Sequence, residues 1–204
     1  YIAIDHTEMN PEELKYNLDV LEKYSKNVAQ LLENLLTWAR SQSGKITYTP
    51  MELSINAIIN NSIDIANIQA HDISITLNYN NSISDEVLVQ ADSNTLITVF
   101  RNILSNAIKF TPDNGNINIS AEEDDRFVTI SISDSGVGIP EDKLSTIFDI
   151  DRNYSSKGTN QELGTGLGLI LCREFVEKNG GTIWADSQIG VGSTFSFTIP
   201  KAQS

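Results

Sequence analysis

The amino-acid sequence predicts an α+β fold. We expect a two-layer α/β sandwich, with a mixed, mostly antiparallel sheet and helices on one face, preceded by a long helix of a helical bundle. Short stretches of alternating apolar and polar residues, separated by turn residues, are typical of antiparallel strands. The stretches between them carry apolar residues at three- and four-residue steps, as amphipathic helices do. The N-terminal helical pattern is too long to cover one small domain, which favours a bundle.

Composition limits the classes of function. The chain has 204 residues, a hydrophobic content of 40% and a net charge of -13, which suits a soluble globule and argues against a nucleic-acid surface. Cys172 is the single cysteine, so an intrachain disulfide is excluded. No apolar run is long enough to span a membrane, and we expect no membrane contact by this part of the protein. Because the sequence begins with Tyr1, we expect a fragment of a longer protein.

The long helix is predicted to begin at Asn10, a side-chain cap followed by Pro11 and two glutamates, and to reach Gly44. That length is about 50 Å at 1.5 Å per residue. Its apolar residues follow a four-three seam that suits packing along another helix: Leu14, Leu18, Leu21, Val28, Leu32, Leu35 and Ala39, widened by Tyr24, Leu31 and Trp38. A helix that crosses its own domain is the alternative.

The remaining elements are predicted from periodicity and turn residues. The helices are 54–69, a central helix capped by Asp92 or Ser93, the short 140–147, and 165–179. The strands are 46–53 at an edge, 73–79, 87–91, the hairpin 117–122 and 127–133, 182–186 and 194–199. Residues 149–163 have little periodicity and are predicted to form a long loop that acts as a lid.

The central helix carries polar residues on one flank of its apolar stripe. Asn102, Asn106 and Lys109 are four and three residues apart, so their side chains stack on one side of the helix. An amide oxygen can bind Mg²⁺ and a lysine can bind phosphate. Taken alone, these residues fit a solvated helix face better than a binding site.

A second motif follows a predicted strand and reads Asp134-Ser-Gly136-Val-Gly138-Ile139-Pro. The glycines permit a flat ligand to approach the backbone closely. The Asp134 carboxylate only accepts hydrogen bonds, so in a cleft it would pair with the amine of adenine and reject guanine. The alternative is a surface aspartate in a glycine turn.

A third motif places Gly164, Gly166 and Gly168 at the start of a helix, where free N–H groups attract phosphate oxygens. The spacing excludes a dinucleotide fingerprint, and the sequence lacks the Gly-Lys-Ser/Thr of a P-loop. A packing motif is the alternative.

These three motifs resemble the N box and the two glycine boxes of the catalytic ATP-binding domain of bacterial sensor histidine kinases, in the Bergerat-fold ATPase superfamily. Gly190 to Phe195 is similar to the last box of that superfamily, in which a threonine, here Thr194, holds the adenine end; a strand-entry turn is the alternative. Phe148 matches the first aromatic residue of the F box, whereas the second aromatic residue is absent.

The resemblance implies binding of ATP and Mg²⁺, with catalytic roles for Asn102, Asn106 and Lys109 and with Asn106 on the metal. The residues implied in ATP binding are Asn102, Asn106, Lys109, Phe110, Asp134, Gly136, Gly138, Ile139, Phe148, Gly164, Thr165, Gly166, Leu167, Gly168, Leu169 and Thr194. It further implies two domains. Residues 1–45 would be the second helix of a dimerisation hairpin, and residues 46–200 the catalytic domain.

The implied function is transfer of the γ-phosphate of ATP to a histidine on the dimerisation helix in two-component signalling. The implied partners are a second copy, bound through the N-terminal helix, and the receiver domain of a response regulator. The implied location is the cytoplasmic portion of a membrane-anchored bacterial sensor. Neither His6 nor His71 matches the phosphoacceptor motif, so we expect the acceptor to be missing here. A scaffolding module without transfer and a free-standing ATPase are the alternatives.

Overall fold

The computed structural model describes residues 10–45, 47–71, 74–149 and 166–202. In chain order the elements are α1 (Pro11–Gln42), β1 (Met51–Ser54), α2 (Ile55–His71), β2 (Thr76–Asn81), β3 (Leu88–Ala91), α3 (Ser93–Phe110), β4 (Asn116–Glu123), β5 (Phe127–Asp134), α4 (Glu141–Leu144), α5 (Gly168–Lys178), β6 (Ile183–Gln188) and β7 (Gly192–Pro200). The predicted α+β class, with a mostly antiparallel sheet and helices on one face, is confirmed.

The main sheet has five strands in the order β2-β4-β5-β7-β6. Only the β2–β4 pair is parallel among them; the other three pairs are antiparallel. A separate two-stranded sheet pairs β1 with β3. Along β5, side chains alternate between buried and half-buried positions, so one face of the sheet is a core face and the other is a polar outer face.

Helix α3 lies at the centre of the helical layer, between α2 and α5. Its apolar stripe is buried, as its three- and four-residue spacing predicts: Leu96, Val99, Phe100, Ile103, Leu104, Ala107 and Ile108. Phe100 meets Phe197 of β7 edge to face, with ring centroids 5.2 Å apart. This packing fixes the rotation of α3, so that its polar flank faces away from the sheet.

Of the two predicted caps of α3, Asp92 is the one observed, and its Oδ1 accepts the N–H of Thr95 at 2.9 Å. Its Oδ2 accepts the N–H of Thr49 at 2.9 Å. The buried Asn179, at the end of α5, accepts the N–H of Asp92 at 2.8 Å and the hydroxyl of Tyr48 at 3.2 Å, and it donates to the hydroxyl of Thr95 at 3.0 Å. These bonds join the segment after α1 to the two helices that carry the predicted motifs.

Helix α1 begins as predicted, since the side chain of Asn10 accepts the N–H of Glu12. The apolar residues of its seam are exposed; Leu21, for example, is 64% exposed and Val28 is 57% exposed. The C-terminal end of α1 is held against the domain, because Trp38 packs against the core and Ser41 donates a hydrogen bond to Glu174 of α5. The long seam is therefore an apolar surface on the outside of this chain.

Two predicted elements are shorter than expected. The predicted strand 46–53 is wrong over 47–50, because the N–H of Thr49 binds Asp92 and Pro50 has no N–H to pair. The predicted helix 140–147 is α-helical only at Glu141–Leu144; beyond it the N–H of Thr146 bonds to the carbonyl of Lys143, three residues back. The predicted lid falls almost wholly outside the described residues.

Candidate functional site

The polar flank of α3 presents three half-buried side chains, Asn102, Asn106 and Lys109. The Nδ2 group of Asn102 donates to the carbonyl of Thr98 one turn earlier, at 2.9 Å. This bond fixes the amide and leaves its Oδ1 as the atom presented outward. The ammonium of Lys109 lies 4.9 Å from the ring centroid of Phe110. The flank thus offers an oriented amide oxygen and a positive charge, as the sequence predicted.

The N-terminus of α5 lies directly against Asn102. A Cβ atom added to Gly168 would come within 2.9 Å of Asn102 Oδ1, so the glycine permits this approach. Gly166, just before the helix, has φ +70°, a conformation that favours glycine. No side chain caps this helix end among the described residues, and its first-turn N–H groups have no intrahelical acceptor. The N box and the second glycine box therefore meet at a helix end whose N–H groups no side chain of the described residues caps.

The first glycine turn meets the other end of α3. A Cβ atom on Gly136 would lie 2.5 Å from the carbonyl oxygen of Phe110, and the N–H of Val137 donates to that same oxygen at 3.3 Å. Gly138 has φ +74°, and a Cβ there would lie 2.2 Å from the carbonyl oxygen of Gln188. The glycines of this turn allow the backbone to fit between α3 and the β6–β7 turn, which brings all three motifs onto one helix.

Asp134 stands at the end of β5 with its side chain 7% exposed. Its Oδ1 accepts the N–H of Gly136 at 2.8 Å and the N–H of Ser193 at 3.2 Å. Among the described residues none donates to Oδ2, which leaves that oxygen for a ligand. Burial raises the pKa of the Asp134 carboxyl, and the two N–H donors oppose this shift. Asp134 is thus a fixed, poorly hydrated acceptor.

Two serines that were not among the predicted site residues lie beside Asp134, although one of them, Ser193, belongs to the last box. Ser193 on β7 is directly opposite Asp134 on β5, and Ser187 on β6 is directly opposite Ser193. Opposite residues of antiparallel strands share a face, so these three side chains form one row on the core face. Ser187 also accepts the N–H of Ile139 at 2.7 Å. The pairing register of β7 with β5 decides that Ser193, and not its neighbour Thr194, lies on the core face beside Asp134. The sequence alone does not determine this register.

Thr194 lines one cavity with Asp134, Ser187 and Ser193, but its side chain is on the opposite face of β7 from that of Ser193. It pairs with Ser133, and its hydroxyl donates to the Ser133 hydroxyl at 3.0 Å on the outer face of the sheet. Phe148 lies on the core side, edge to face with Phe195 at 6.4 Å between centroids. Leu169 packs against the core, and Leu167 directly precedes α5. Gly164 and Thr165 lie outside the described residues.

The cluster fits an adenine nucleotide. It combines a carboxylate acceptor at one end of α3 with uncapped helix N–H groups and an amide oxygen at the middle of α3. The described residues contain no group of three or more His, Cys, Asp or Glu side chains that could hold a metal ion.

The comparisons with known proteins agree with this geometry. Residues 91–203 match the family model described as histidine kinase-, DNA gyrase B- and HSP90-like ATPase. The chain belongs to this family. The predicted resemblance to the catalytic ATP-binding domain of sensor histidine kinases is thereby confirmed.

Relatives and solved structures extend the match. The chain is 38% identical over 117 residues to sensor histidine kinase WalK of Bacillus subtilis, covering 56% of this chain and 19% of that protein. It is 30% identical over 200 residues to signal transduction histidine-protein kinase BarA of Escherichia coli, covering 95% of this chain and 21% of that protein. The catalytic domain of histidine kinase ThkA superposes with a TM-score of 0.65 at 30% identity, covering 76% of this chain and 96% of that chain.

The family match covers the motifs described above, from the end of β3 through β7. The chain spans only 19% and 21% of the length of the two curated relatives described above. Within the part of the chain that the structure describes, no helix is both long and apolar enough to cross a membrane.

Proposed function

We propose that this chain is the ATP-dependent catalytic core of a protein histidine kinase, which transfers the γ-phosphate of ATP to a histidine. The observation that carries the proposal is the contact of Gly168 with Asn102, because it joins the phosphate-binding helix end to the amide flank of α3. The carboxylate that would select adenine, Asp134, precedes the turn that meets the C-terminal end of the same helix. The relatives named above support this assignment, since they are histidine kinases.

Each group has a role that its chemistry permits. Asp134 Oδ2 accepts the exocyclic amine of adenine, and the first-turn N–H groups of α5 donate to phosphate oxygens. Asn106 would give its amide oxygen to Mg²⁺ with Asn102 beside it, and the ammonium of Lys109 would offset phosphate charge. The bound metal would supply charge neutralisation for the transferring phosphoryl group, and phosphoryl transfer depends chiefly on such positioning and neutralisation.

Transfer is favoured over hydrolysis by the nature of Asn102. Its Nδ2 group is bonded to the backbone of Thr98, and an amide oxygen is too weak a base to take a proton from water. Water in the site is therefore poorly activated, and the γ-phosphate is retained for an imidazole that is itself nucleophilic. This argument disfavours the free-standing ATPase.

The exposed seam of α1 supports the proposed dimer and the proposed division into residues 1–45 and 46–200. Leucine and valine side chains on one helix face, such as Leu18 at 56% and Leu32 at 58% exposure, would be buried by the same helix of a second copy. The receiver domain of a response regulator remains the proposed downstream partner. In a solved structure of ThkA in complex with response regulator protein TrrA, the matching chain superposes on 95% of this chain with a TM-score of 0.76.

The proposed location is the cytoplasmic part of a bacterial sensor protein that is anchored to the membrane elsewhere. This follows from the proposed function, because ATP and response regulators are intracellular reactants.

The test combines this chain with a separately prepared acceptor helix, the first helix of the hairpin, and ATP labelled at the γ-phosphate. We expect acid-labile, alkali-stable label on the histidine of the acceptor helix and none on this chain alone. ATP binding without any transfer would favour a scaffolding module, and rapid release of labelled phosphate without acceptor labelling would favour an ATPase. Stable label at His6 would contradict the inference that the acceptor is missing.

A further inference from the structure

The row formed by Asp134, Ser193 and Ser187 has a defined direction of hydrogen bonding. Ser187 Oγ lies 2.8 Å from the carbonyl oxygen of Gly192, 3.0 Å from Ser193 Oγ, and 2.7 Å from the backbone nitrogen of Ile139. A serine hydroxyl has one hydrogen to donate. A carbonyl oxygen can only accept, so the hydrogen of Ser187 goes to Gly192. Ser193 is then the donor in the bond between the two hydroxyls.

This direction determines what Ser193 presents to a ligand. Its hydroxyl hydrogen is used by Ser187, so the remaining lone pair of Ser193 Oγ can only accept. The backbone N–H of Ser193 is used by Asp134 Oδ1. At the Asp134 end of the site, Asp134 Oδ2 and Ser193 Oγ are thus two neighbouring acceptors. Two acceptors favour an amine and disfavour a carbonyl oxygen.

Ser187 also holds the first glycine turn in place. The N–H of Ile139 donates to its hydroxyl, and Ile139 follows Gly138, whose close approach to the carbonyl of Gln188 requires glycine. One hydroxyl therefore links β6, the β7 backbone and the turn that follows Asp134. The single donor position and both acceptor positions of Ser187 Oγ are used within the protein. This residue therefore acts on a ligand only through Ser193.

We propose that Ser187 is a positioning residue that fixes the hydroxyl of Ser193 as an acceptor beside Asp134, and that it thereby strengthens selection of 6-aminopurine over 6-oxopurine nucleotides. The inference rests on the proposed function, because it concerns the same nucleotide site. Without Ser187, the hydroxyl of Ser193 is free to rotate and to donate its hydrogen to a 6-oxo group. Selectivity then falls although Asp134 is unchanged.

The experiment compares the affinities of the chain for ATP and for inosine triphosphate, which carries a 6-oxo group, by titration calorimetry. We expect Ser187→Ala to lower the ratio of ATP to inosine triphosphate affinity by about tenfold, the scale of one neutral hydrogen bond. Ser187→Thr, which keeps the hydroxyl, should restore the ratio. Ser131→Ala should leave it unchanged, since it removes one hydroxyl of a similar interstrand pair, Ser131 and Ser196 at 2.8 Å, on the outer face.

A double-mutant comparison separates orientation from general loosening. In a Ser193→Ala background, Ser187→Ala should change the ratio no further, because its effect passes through the missing hydroxyl. An unchanged ratio in Ser187→Ala, or an equal loss of affinity for both nucleotides, would overturn the inference while leaving ATP binding by the original chain intact. If the original chain binds neither nucleotide, the proposed function fails as well. Should Ser187→Ala not fold, as judged by circular dichroism, Ser187→Cys takes its place with the same expected result.

Discussion

Replacing Asp134 with asparagine separates what this side chain does for the fold from what it does for a ligand. Asparagine keeps an Oδ1 that can accept the N–H groups of Gly136 and Ser193, at 2.8 and 3.2 Å in the original chain. At the position of Oδ2 it puts an NH₂ group, a hydrogen-bond donor, where the carboxylate offered an acceptor. The ligand amine then faces a second donor, while the internal hydrogen bonds are preserved.

The expected loss of ATP affinity follows from one charged hydrogen bond. Such bonds contribute about 1.5–3 kcal/mol, so the dissociation constant of Asp134→Asn should rise on the order of ten- to a hundredfold. Asp134→Ala should lose similar affinity but also stability. It leaves two buried N–H groups without an acceptor, at a cost of about 2 kcal/mol or more relative to asparagine. Titration calorimetry and denaturant unfolding measure the two quantities.

The pH dependence of stability gives an independent check. Burial raises the pKa of Asp134 in the folded protein, so the native state binds this proton more tightly than the unfolded chain does. Stability then falls as the pH rises through the range between the unfolded and the folded pKa. Asp134→Asn should therefore unfold at a higher temperature than the original chain at pH 7, and the difference should shrink towards about pH 4. Unchanged ATP affinity in Asp134→Asn, or a lower unfolding temperature at pH 7, would refute the reasoning.

Four further outcomes are expected. Gly168→Ala should weaken ATP binding on the order of tenfold in calorimetry, because its Cβ displaces the amide of Asn102, while alanine keeps the helix. Asn179→Ala should lower the free energy of unfolding by about 3 kcal/mol or more in a denaturant titration, because it leaves several buried polar groups without a hydrogen-bond partner. The thiol of Cys172 is fully buried, and burial raises its pKa, so it should react with a thiol reagent at pH 8 only after unfolding. Val28→Asp should convert a dimer to a monomer in sedimentation velocity, because it places a charge in the apolar seam.

The stability and dimer experiments have matched controls in the same chain. Asn118→Ala removes an exposed amide that accepts a single hydrogen bond from Asn78, and it should change stability by less than about 0.5 kcal/mol. Glu33→Ala changes an exposed polar residue of α1 and should leave the dimer intact. The argument for Asn179 would be contradicted if Asn179→Ala were as stable as the original chain. The argument for Cys172 would be contradicted if its thiol reacted at once in the native protein. The argument for the seam would be contradicted if Val28→Asp stayed dimeric.

The sequence predicted the parts of this fold that repeat a strong local pattern. The apolar stripe of α3 and its Asp92 cap required only spacing and capping rules, and both are present. The predicted strand 46–53 failed over 47–50 because the competing partner of Thr49, the carboxylate of Asp92, lies far away in sequence. Local patterns do not report such partners.

Residues of the candidate site could be selected from the sequence where they belong to a motif, but not where their placement depends on strand register. Asp134 and the Gly168 helix start are on the motifs themselves. The choice between Ser193 and Thr194 depends on which residue lies opposite Asp134, and a shift of one residue reverses the face of a strand. Ser187 lies on a third strand, and its role follows only from three-dimensional hydrogen bonds.

The most direct measurement of the central claim is a crystal structure of this chain with a non-hydrolysable ATP analogue and Mg²⁺. The account predicts one nucleotide along α3, with its adenine amine on Asp134 and its phosphates at the Gly168 end of α5 beside Asn102. A nucleotide bound elsewhere, or one that contacts Asp134 with its phosphates directed away from Asn102, would contradict it.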